Sequence, residues 1–289
     1  MKSSGQATVS SSIDPALARL ITQQFPAAQT AGSFFPLTGL TGQTGKVVVG
    51  DLTLLARHQR KAEPVPGVDR RREYHILRKL SGSGLAPAVQ GFNAEWLLLG
   101  WQPGDALDRP GFIQHLEAVA LKVATLHAQP LSGYRLSLLS LLQQYWQLSC
   151  PTRRHHGWLR ALKKCQQQGE PRPLRLALLH MDIHGGNVIR HRDSLQLIDW
   201  EYASDGDVAL ELAAIVAGNG LNQQQQQQLT ACYAAQQNLN QQALTQQMQR
   251  WQPWLRLLMA SWYELRWQQT QQPMFYTLAA EAWQRVLSD

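Results

Sequence analysis

Cysteine is scarce in this chain of 289 residues, which contains only Cys150, Cys165 and Cys232. An odd, widely spaced set predicts neither a disulfide framework nor a zinc site, and it indicates a reducing compartment. Long apolar runs are also lacking, since no stretch reaches the roughly 18 residues that a membrane-spanning helix needs. The polar N-terminal segment has no apolar core of the signal-peptide type. We therefore expect a cytoplasmic protein without a membrane partner.

Acidic residues are fewer than basic ones, at 20 against 27, which gives a formal net charge of +7 at pH 7. Such an excess could serve a nucleic acid or a phosphorylated small molecule. The basic residues form separate clusters, and neither a zinc-finger pattern nor an aromatic RNA-binding motif accompanies them. We therefore expect no nucleic-acid partner. No feature of the sequence indicates an obligate protein partner.

The hydrophobic pattern changes along the chain from strand-like to helical. In the first third it predicts strands at 47–49, 52–57 and 95–101 and an amphipathic helix at 69–80. After residue 103 it predicts two further strands, at 174–179 and 195–199, and helices at 112–127, 137–149, 157–168, 208–217, 222–237, 240–250, 253–269 and 274–287.

These elements predict an α+β fold with two lobes. A small β-rich N-terminal lobe would span residues 1–102, and a larger, mainly helical C-terminal lobe would span residues 103–289. Residues 1–12 are small and polar, and we expect them to form a disordered tail.

Polar side chains are concentrated in LLHMDIHGGNVIRHRDSLQLIDWEYA, residues Leu178–Ala203. Asp182 follows a predicted strand, and the Gly185-Gly186 turn would bring Asn187 back beside it. Asp199 ends the next strand, so paired strands would return its carboxylate to the same edge. An amide and a carboxylate oxygen suit Mg²⁺, which keeps several waters and shares itself with substrate phosphates. Asp182 would then orient a hydroxyl nucleophile and accept its proton.

Two other interpretations of this segment stay open. It could be a hydrogen-bonded structural hairpin with a capping aspartate, or a metal site built from His180, His184 and His191. The histidines lack the helical register of a metalloprotease motif. The pattern His-x-Asp-x4-Asn, followed by apolar-apolar-Asp-aromatic, instead resembles the catalytic loop and metal-binding segment of the kinase fold.

A kinase would need a nucleotide-binding first lobe, and the sequence offers candidates for one. Backbone N–H groups of Gly39 and Gly42, in GLTGQTG, could contact phosphates, although a plain hairpin turn fits that stretch equally well. Arg57 ends a predicted strand and could hold phosphate oxygens. Glu73 on the next helix is its expected ion-pair partner, or else a solvated charge. Leu99 lies in the predicted hinge strand, whose backbone would contact adenine.

The segments HMDIHGGN, IDWEYA and GDVALELA resemble the aminoglycoside phosphotransferase and choline kinase family, which has a protein-kinase-like fold. Within it, LLSLLQQYW, GWLRALKK and residues 251–270 are similar to bacterial thiamine kinases. The resemblance implies ATP-dependent phosphorylation of the thiamine hydroxyl to thiamine monophosphate, in thiamine salvage. It also implies ATP and Mg²⁺ as cofactors, Asp182 as the base, and Asn187 and Asp199 as the residues that hold the metal.

Thiamine carries a permanent positive charge, which aromatic faces and carboxylates favour. The predicted substrate-binding residues are therefore Trp200, Glu201, Asp207 and Trp262, with core packing as the alternative for each tryptophan. Other functions stay open: a choline, ethanolamine or aminoglycoside kinase of the same fold, or a non-catalytic nucleotide-binding scaffold. The last helices contain few acidic residues, which disfavours an aminoglycoside substrate.

Overall fold

A computed structural model describes residues 13–26, 33–37, 44–59 and 65–288 of the chain. The chain divides into two compact units. The first contains the described residues up to Leu107 together with Gly186–Tyr202, and the second contains Asp108–Gly185 and the described residues from Ala203 onward. The predicted lobes at 1–102 and 103–289 stay a prediction. The tail predicted at 1–12 lies outside the described residues.

Strands dominate the first unit and helices the second. The described strands are β1 (Ser33–Leu37), β2 (Thr44–Val49), β3 (Leu52–His58), β4 (Val89–Phe92), β5 (Trp96–Gly100), β6 (Asp105–Ala106), β7 (Leu176–Leu179), β8 (Val188–His191), β9 (Ser194–Leu197) and β10 (Ser204–Asp207). The described helices are α1 (Pro15–Gln24), α2 (Arg70–Lys79), α3 (Arg109–Gln114), α4 (Leu116–His127), α5 (Leu138–Leu148), α6 (His156–Gln168), α7 (Val208–Asn219), α8 (Gln223–Gln237), α9 (Gln241–Thr270) and α10 (Pro273–Leu287).

The first unit contains an antiparallel sheet with strand order β1-β2-β3-β5-β4. In β2 buried residues alternate with half-buried ones, so Val47 and Val49 face the core. β5 lies between β3 and β4, and four of its five residues are buried in a row. α1 covers this sheet, with Leu17 and Leu20 packed in the same cluster as Trp96.

β6, β8 and β9 form a second antiparallel sheet of the first unit. Gly104 leads into β6 with φ +116°, and a Cβ atom there would lie 2.3 Å from the carbonyl oxygen of Arg190 in β8. Only glycine fits this approach of two backbones. The approach keeps β6 beside the hairpin that carries the predicted metal-binding residues.

In the second unit, β7 pairs antiparallel with β10, so that Leu179 faces Ser204. The expectation that β7 and β9 are paired strands is therefore wrong, because β9 pairs with β8. β10 has the sequence SDGD, whose polar residues gave no strand pattern although all four are buried. α7 begins directly after β10 and is buried along most of its length.

The division into helices differs from the prediction at two places. The helix predicted at 112–127 is two helices, α3 and α4, that meet at His115. The helices predicted at 240–250 and 253–269 are one helix, α9, which contains Pro253. Proline removes one backbone hydrogen bond, and the burial of Trp251 and Trp254 on either side offsets that loss. Within the described ranges, no helix has both the length and the apolarity to cross a membrane.

Candidate functional site

The loop after β7 carries Asp182, the predicted base, and lies in the second unit up to Gly185. The Asp182 side chain is 36% exposed, and its Oδ1 lies 3.8 Å from Nε2 of His184. The backbone N–H of Asp182 donates to Nδ1 of His180 at 3.3 Å. Met181 has φ +68°, a backbone conformation that residues other than glycine adopt only when their surroundings fix it. The loop is therefore held in a defined shape while its carboxylate remains accessible.

A buried carboxylate on α7 fixes the start of this loop. Oε1 of Glu211 accepts hydrogen bonds from the backbone N–H groups of His180 and Met181, at 2.8 and 2.6 Å. Its Oε2 lies 2.7 Å from Nε2 of His127, whose Nδ1 lies 2.6 Å from the Tyr233 hydroxyl. Burial opposes the charge on Glu211, but the hydrogen bond and charge of His127 outweigh it and hold the pKa of the carboxyl below its ordinary value.

Asn219, at the other end of α7, fixes the end of the loop. Its Oδ1 accepts from the N–H of Gly185 at 3.2 Å, and its Nδ2 donates to the carbonyl of Ile183 at 3.0 Å. A single helix therefore holds the loop on both sides of Asp182. GDVALELA was identified only as a segment that resembles the family, and no sequence pattern singled out His127, Tyr233 or Asn219. One signal was present, because a carboxylate inside an apolar helix is rarely buried without partners.

The β8–β9 hairpin brings the two predicted metal-binding residues to one end of the first unit. The carbonyl of Asn187 accepts from the N–H of Ile198 at 3.0 Å, so Asn187 and Asp199 flank the same end of the hairpin. Asn187 is 7% exposed, whereas the Asp199 side chain is 34% exposed. Asp199 has φ +66°, which aspartate tolerates better than most residues.

Arg57, at the end of β3, is 4% exposed and joins three carboxylates of the first unit. Its Nη1 donates to Glu73 at 3.0 Å, and its Nη2 donates to Asp199 at 2.5 Å and to Glu201 at 2.8 Å. Burial opposes the charge, but these three carboxylates outweigh it and raise the pKa of Arg57 above its ordinary value. The expected contact with Glu73 is therefore present, and the contacts with Asp199 and Glu201 were not predicted.

Two predicted substrate-binding residues lie in the interior of the first unit. Glu201 is 2% exposed and contacts both Arg57 and Arg70. Trp200 is 1% exposed, and its indole N–H donates to the carbonyl of Leu197 at 3.0 Å. These contacts give both residues a structural part in the hairpin. Their role toward a substrate stays a prediction.

The other two predicted substrate-binding residues lie in the second unit. Oδ2 of Asp207 accepts from Trp251 Nε1 and from Gln247 Nε2, each at 2.8 Å. Its Oδ1 accepts from the N–H of Ala209, which caps α7. Trp262 is half-buried and packs edge-to-face on Phe275. Donors therefore surround Asp207, and Trp262 remains the more accessible candidate for substrate binding.

The structure describes only some of the residues predicted to bind nucleotide. Gly39 and Gly42 lie outside the described residues. Leu99 is buried in β5 and pairs with Leu55 on one side and Val89 on the other. Its predicted contact with adenine stays a prediction.

The chemistry of the donor set fits magnesium better than a softer metal. No group of three or more His, Cys, Asp or Glu residues suited to a metal occurs in the described part of the chain, which gives the histidine site no support. Asn187 and Asp199 offer an amide and a carboxylate oxygen, and two protein ligands are enough for a magnesium ion that substrate phosphates also bind. One Asp199 oxygen accepts from Arg57.

Comparison with known proteins identifies the family. Residues 39–254 match the sequence pattern described as the Phosphotransferase enzyme family. The chain is 42% identical over 216 residues to a thiamine kinase from Escherichia coli O139:H28, covering 75% of this chain and 76% of that protein.

Solved structures share the fold. Choline kinase LicA from Streptococcus pneumoniae has a TM-score of 0.74 at 18% identity, over 93% of this chain and 96% of that one. LicA in complex with AMP has a TM-score of 0.73 at 15% identity, over 96% and 99%. The predicted α+β, kinase-like fold is thereby confirmed.

Proposed function

Because the chain belongs to the phosphotransferase enzyme family and is a small-molecule kinase, we propose that it transfers the terminal phosphoryl group of ATP to the hydroxyl of thiamine. The product would be thiamine monophosphate. The observation that carries this proposal is the 42% identity over three quarters of the chain to a protein named thiamine kinase. The family match over residues 39–254 includes Asp182, Asn187 and Asp199.

Asp182 is the proposed general base. A base must reach the hydroxyl whose proton it accepts, and the Asp182 side chain is 36% exposed. Glu211 and Asn219 hold the loop at both ends, so the carboxylate needs little reordering before reaction. Nε2 of His184 lies 3.8 Å from Oδ1 of Asp182.

Asn187 and Asp199 are the proposed ligands of Mg²⁺, and Arg57 is the proposed contact to the nucleotide phosphates. When bound, Mg²⁺ would neutralise charge on the transferred phosphoryl group. Arg57 presents a planar guanidinium that matches phosphate oxygens. Glu73 holds its Nη1 and thereby orients the group. Leu99, Gly39 and Gly42 remain proposed nucleotide contacts.

The acceptor cation would bind among aromatic and acidic side chains of the predicted set. Trp262 is half-buried, so part of its ring remains available to a cation. Asp207, Trp200 and Glu201 already have hydrogen-bond partners within their own units. We therefore propose Trp262 as the first of the four to test.

The direct experiment measures ADP release from Mg-ATP by the full chain with thiamine, choline, ethanolamine or kanamycin, and identifies the product by mass spectrometry. We expect release with thiamine and a product that carries one added phosphoryl group. Turnover with another alcohol alone would reject thiamine and keep the kinase assignment. No turnover with any of the four, while Mg-ATP still binds, would favour a non-catalytic scaffold.

A further inference from the structure

Arg70 is the first residue of α2, and it is 3% exposed. Its Nη1 lies 2.7 Å from Oε2 of Glu73 and 2.8 Å from Oε2 of Glu201. A buried cation at a helix N-terminus is opposed both by the helix dipole and by the loss of hydration. The two carboxylates must therefore compensate for this placement, and sequence patterns gave no sign of it.

Arg70 duplicates two of the three contacts of Arg57. Glu73 is shared, with Oε1 on Arg57 and Oε2 on Arg70, and Oε2 of Glu201 contacts both guanidinium groups. Asp199 is the third carboxylate that contacts Arg57. We call these five residues the arginine–carboxylate cluster. Two guanidinium groups and three carboxylates give it a formal charge of −1.

The two terminal nitrogens of Arg57 contact different carboxylates, and this difference affects how Arg57 could bind a nucleotide. Nη1 contacts Glu73, whereas Nη2 contacts both Asp199 and Glu201. If Nη2 of Arg57 turns to a phosphate oxygen, Asp199 loses this contact and can bind a metal ion instead. Glu201 is 2% exposed and cannot turn to water. The loss of a cationic partner destabilises a buried carboxylate, and Arg70 remains in contact with Glu201 at 2.8 Å when Arg57 turns away.

We propose that Arg70 is a positioning residue that stays in contact with Glu201 and Glu73. Nη2 of Arg57 can then leave Asp199 and Glu201 and bind a nucleotide phosphate. This inference rests on the proposed function. Without Arg70, the guanidinium of Arg57 would be shared among three carboxylates, and the formal charge of the cluster would fall to −2. Both changes oppose the binding of a polyanionic nucleotide.

The test compares Arg70→Gln with the wild type and with Arg71→Gln, a matched control on the neighbouring, exposed residue. Isothermal titration with Mg-ADP gives the nucleotide Kd without any phosphoryl transfer. We expect Kd to rise about tenfold in Arg70→Gln and to stay unchanged in the control. In turnover assays the KM for nucleotide should rise, and the KM for the acceptor should not.

The double variant Arg70→Gln/Glu201→Gln separates this role from a purely structural one. It removes the carboxylate that needs a partner and restores the cluster charge to −1, so we expect the Mg-ADP affinity to return to within about threefold of the wild type. Arg70→Lys keeps the charge but cannot present a planar fork to two carboxylates, and we expect an intermediate Kd.

Three outcomes would overturn the inference. The first is wild-type affinity in Arg70→Gln. The second is a double variant as weak as the single one while both unfold at the wild-type temperature. If Arg70→Gln does not fold, an Arg70→Lys variant that folds and binds Mg-ADP like the wild type would be the third. Failure of the wild type itself to bind Mg-ADP would instead reject the nucleotide part of the proposed function.

Discussion

Two carboxylates, one on the loop after β7 and one on α7, differ in what surrounds them. Asp182 is partly exposed and lies 3.8 Å from His184. Glu211 is fully buried, and each of its oxygens contacts at least one partner. Only the first can exchange its surroundings for a substrate hydroxyl. The second is suited to hold the backbone on which the first is carried.

Replacement of the proposed base gives the sharpest residue-scale prediction. Asp182→Asn should lower kcat by about 10²–10⁴, the range attributed to general base catalysis, because an amide does not accept the hydroxyl proton. Mg-ADP binding should change little. Steady-state kinetics and isothermal titration measure the two effects. Asp193→Asn, at an exposed aspartate, is the control, and activity of Asp182→Asn within tenfold of the wild type would reject the assignment.

The buried His127–Glu211 pair predicts a large effect on stability. His127→Ala leaves the Glu211 carboxylate without that partner, and we expect the free energy of unfolding to fall by about 3 kcal/mol. Tyr233→Phe removes only a hydroxyl and should cost about 1 kcal/mol. Urea unfolding of both variants at pH 7 measures the difference. Equal losses in the two variants would contradict the pairing of His127 with Glu211.

The same pair gives a dependence on pH whose sign follows from Glu211. Its folded pKa is held below the ordinary value of 4.5, so its contribution to stability is present above pH 4.5. The contribution is lost as the pH falls through the lower, folded pKa. Glu211→Gln does not titrate and should show a weaker loss of stability in acid. Parallel acid-unfolding curves for wild type and variant would contradict this.

At the scale of elements, α1 depends on one aspartate for its start and for its attachment to the sheet. Asp14 accepts from the N–H groups of Ala16 and Leu17, at 2.9 and 3.1 Å, and from Nε1 of Trp96 at 3.0 Å. Slight burial opposes its charge, but these hydrogen bonds hold the pKa of the carboxyl below its ordinary value.

Asp14→Ala should therefore lower the free energy of unfolding by about 1 kcal/mol at pH 7, as for other helix N-caps. Asp14→Asn keeps a capping oxygen and should cost less. Because the folded pKa is lowered, the difference between wild type and Asp14→Ala should shrink as the pH falls below 3.8. Urea unfolding at pH 7 and pH 3 measures it. A cost that stays constant over this range would contradict the contribution of the charge.

Elements with strong periodicity could be predicted from the sequence, and those formed by context could not. α2 and α6 have clear apolar stripes, and their predicted bounds differ from the structure by one residue at each end or less. α1 was missed because it is short and follows the polar tail, and β4 was missed because VQGF lacks alternation. β10 is a strand only because β7 pairs with it.

At the scale of the whole molecule, some residues of the candidate site are close in the sequence and others are far apart. Asp182, Asn187 and Asp199 lie within one short segment, so their spacing could suggest their roles. His127 and Tyr233 are 106 residues apart, and Arg57 and Glu201 are 144 apart. No local pattern links such residues. Arg57 and Glu73 were predicted together because an ion pair between a strand and the next helix has a known place in kinases.

A ligand that binds only the native chain stabilises the whole molecule, and this gives a test of the metal site. Mg-ADP at about a hundred times its Kd should add about 2.7 kcal/mol to the free energy of unfolding. For a chain of this size we expect the unfolding temperature to rise by roughly 5 °C. Removal of Mg²⁺ with EDTA should abolish most of that rise, because Asn187 and Asp199 would then contribute no bonds to the nucleotide complex.

Asp199→Asn is the matched variant, since it removes the carboxylate charge and keeps the side-chain shape. Its unfolding temperature in ADP should be nearly the same with Mg²⁺ and with EDTA. Its unliganded stability need not fall much, because Arg57 keeps Glu73 and Glu201 as partners. Differential scanning calorimetry of both proteins, each in ADP with Mg²⁺ and in ADP with EDTA, measures these shifts. A full temperature rise for the wild type in EDTA would show that ADP binds without Mg²⁺, and it would contradict a nucleotide-linked metal site at Asn187 and Asp199.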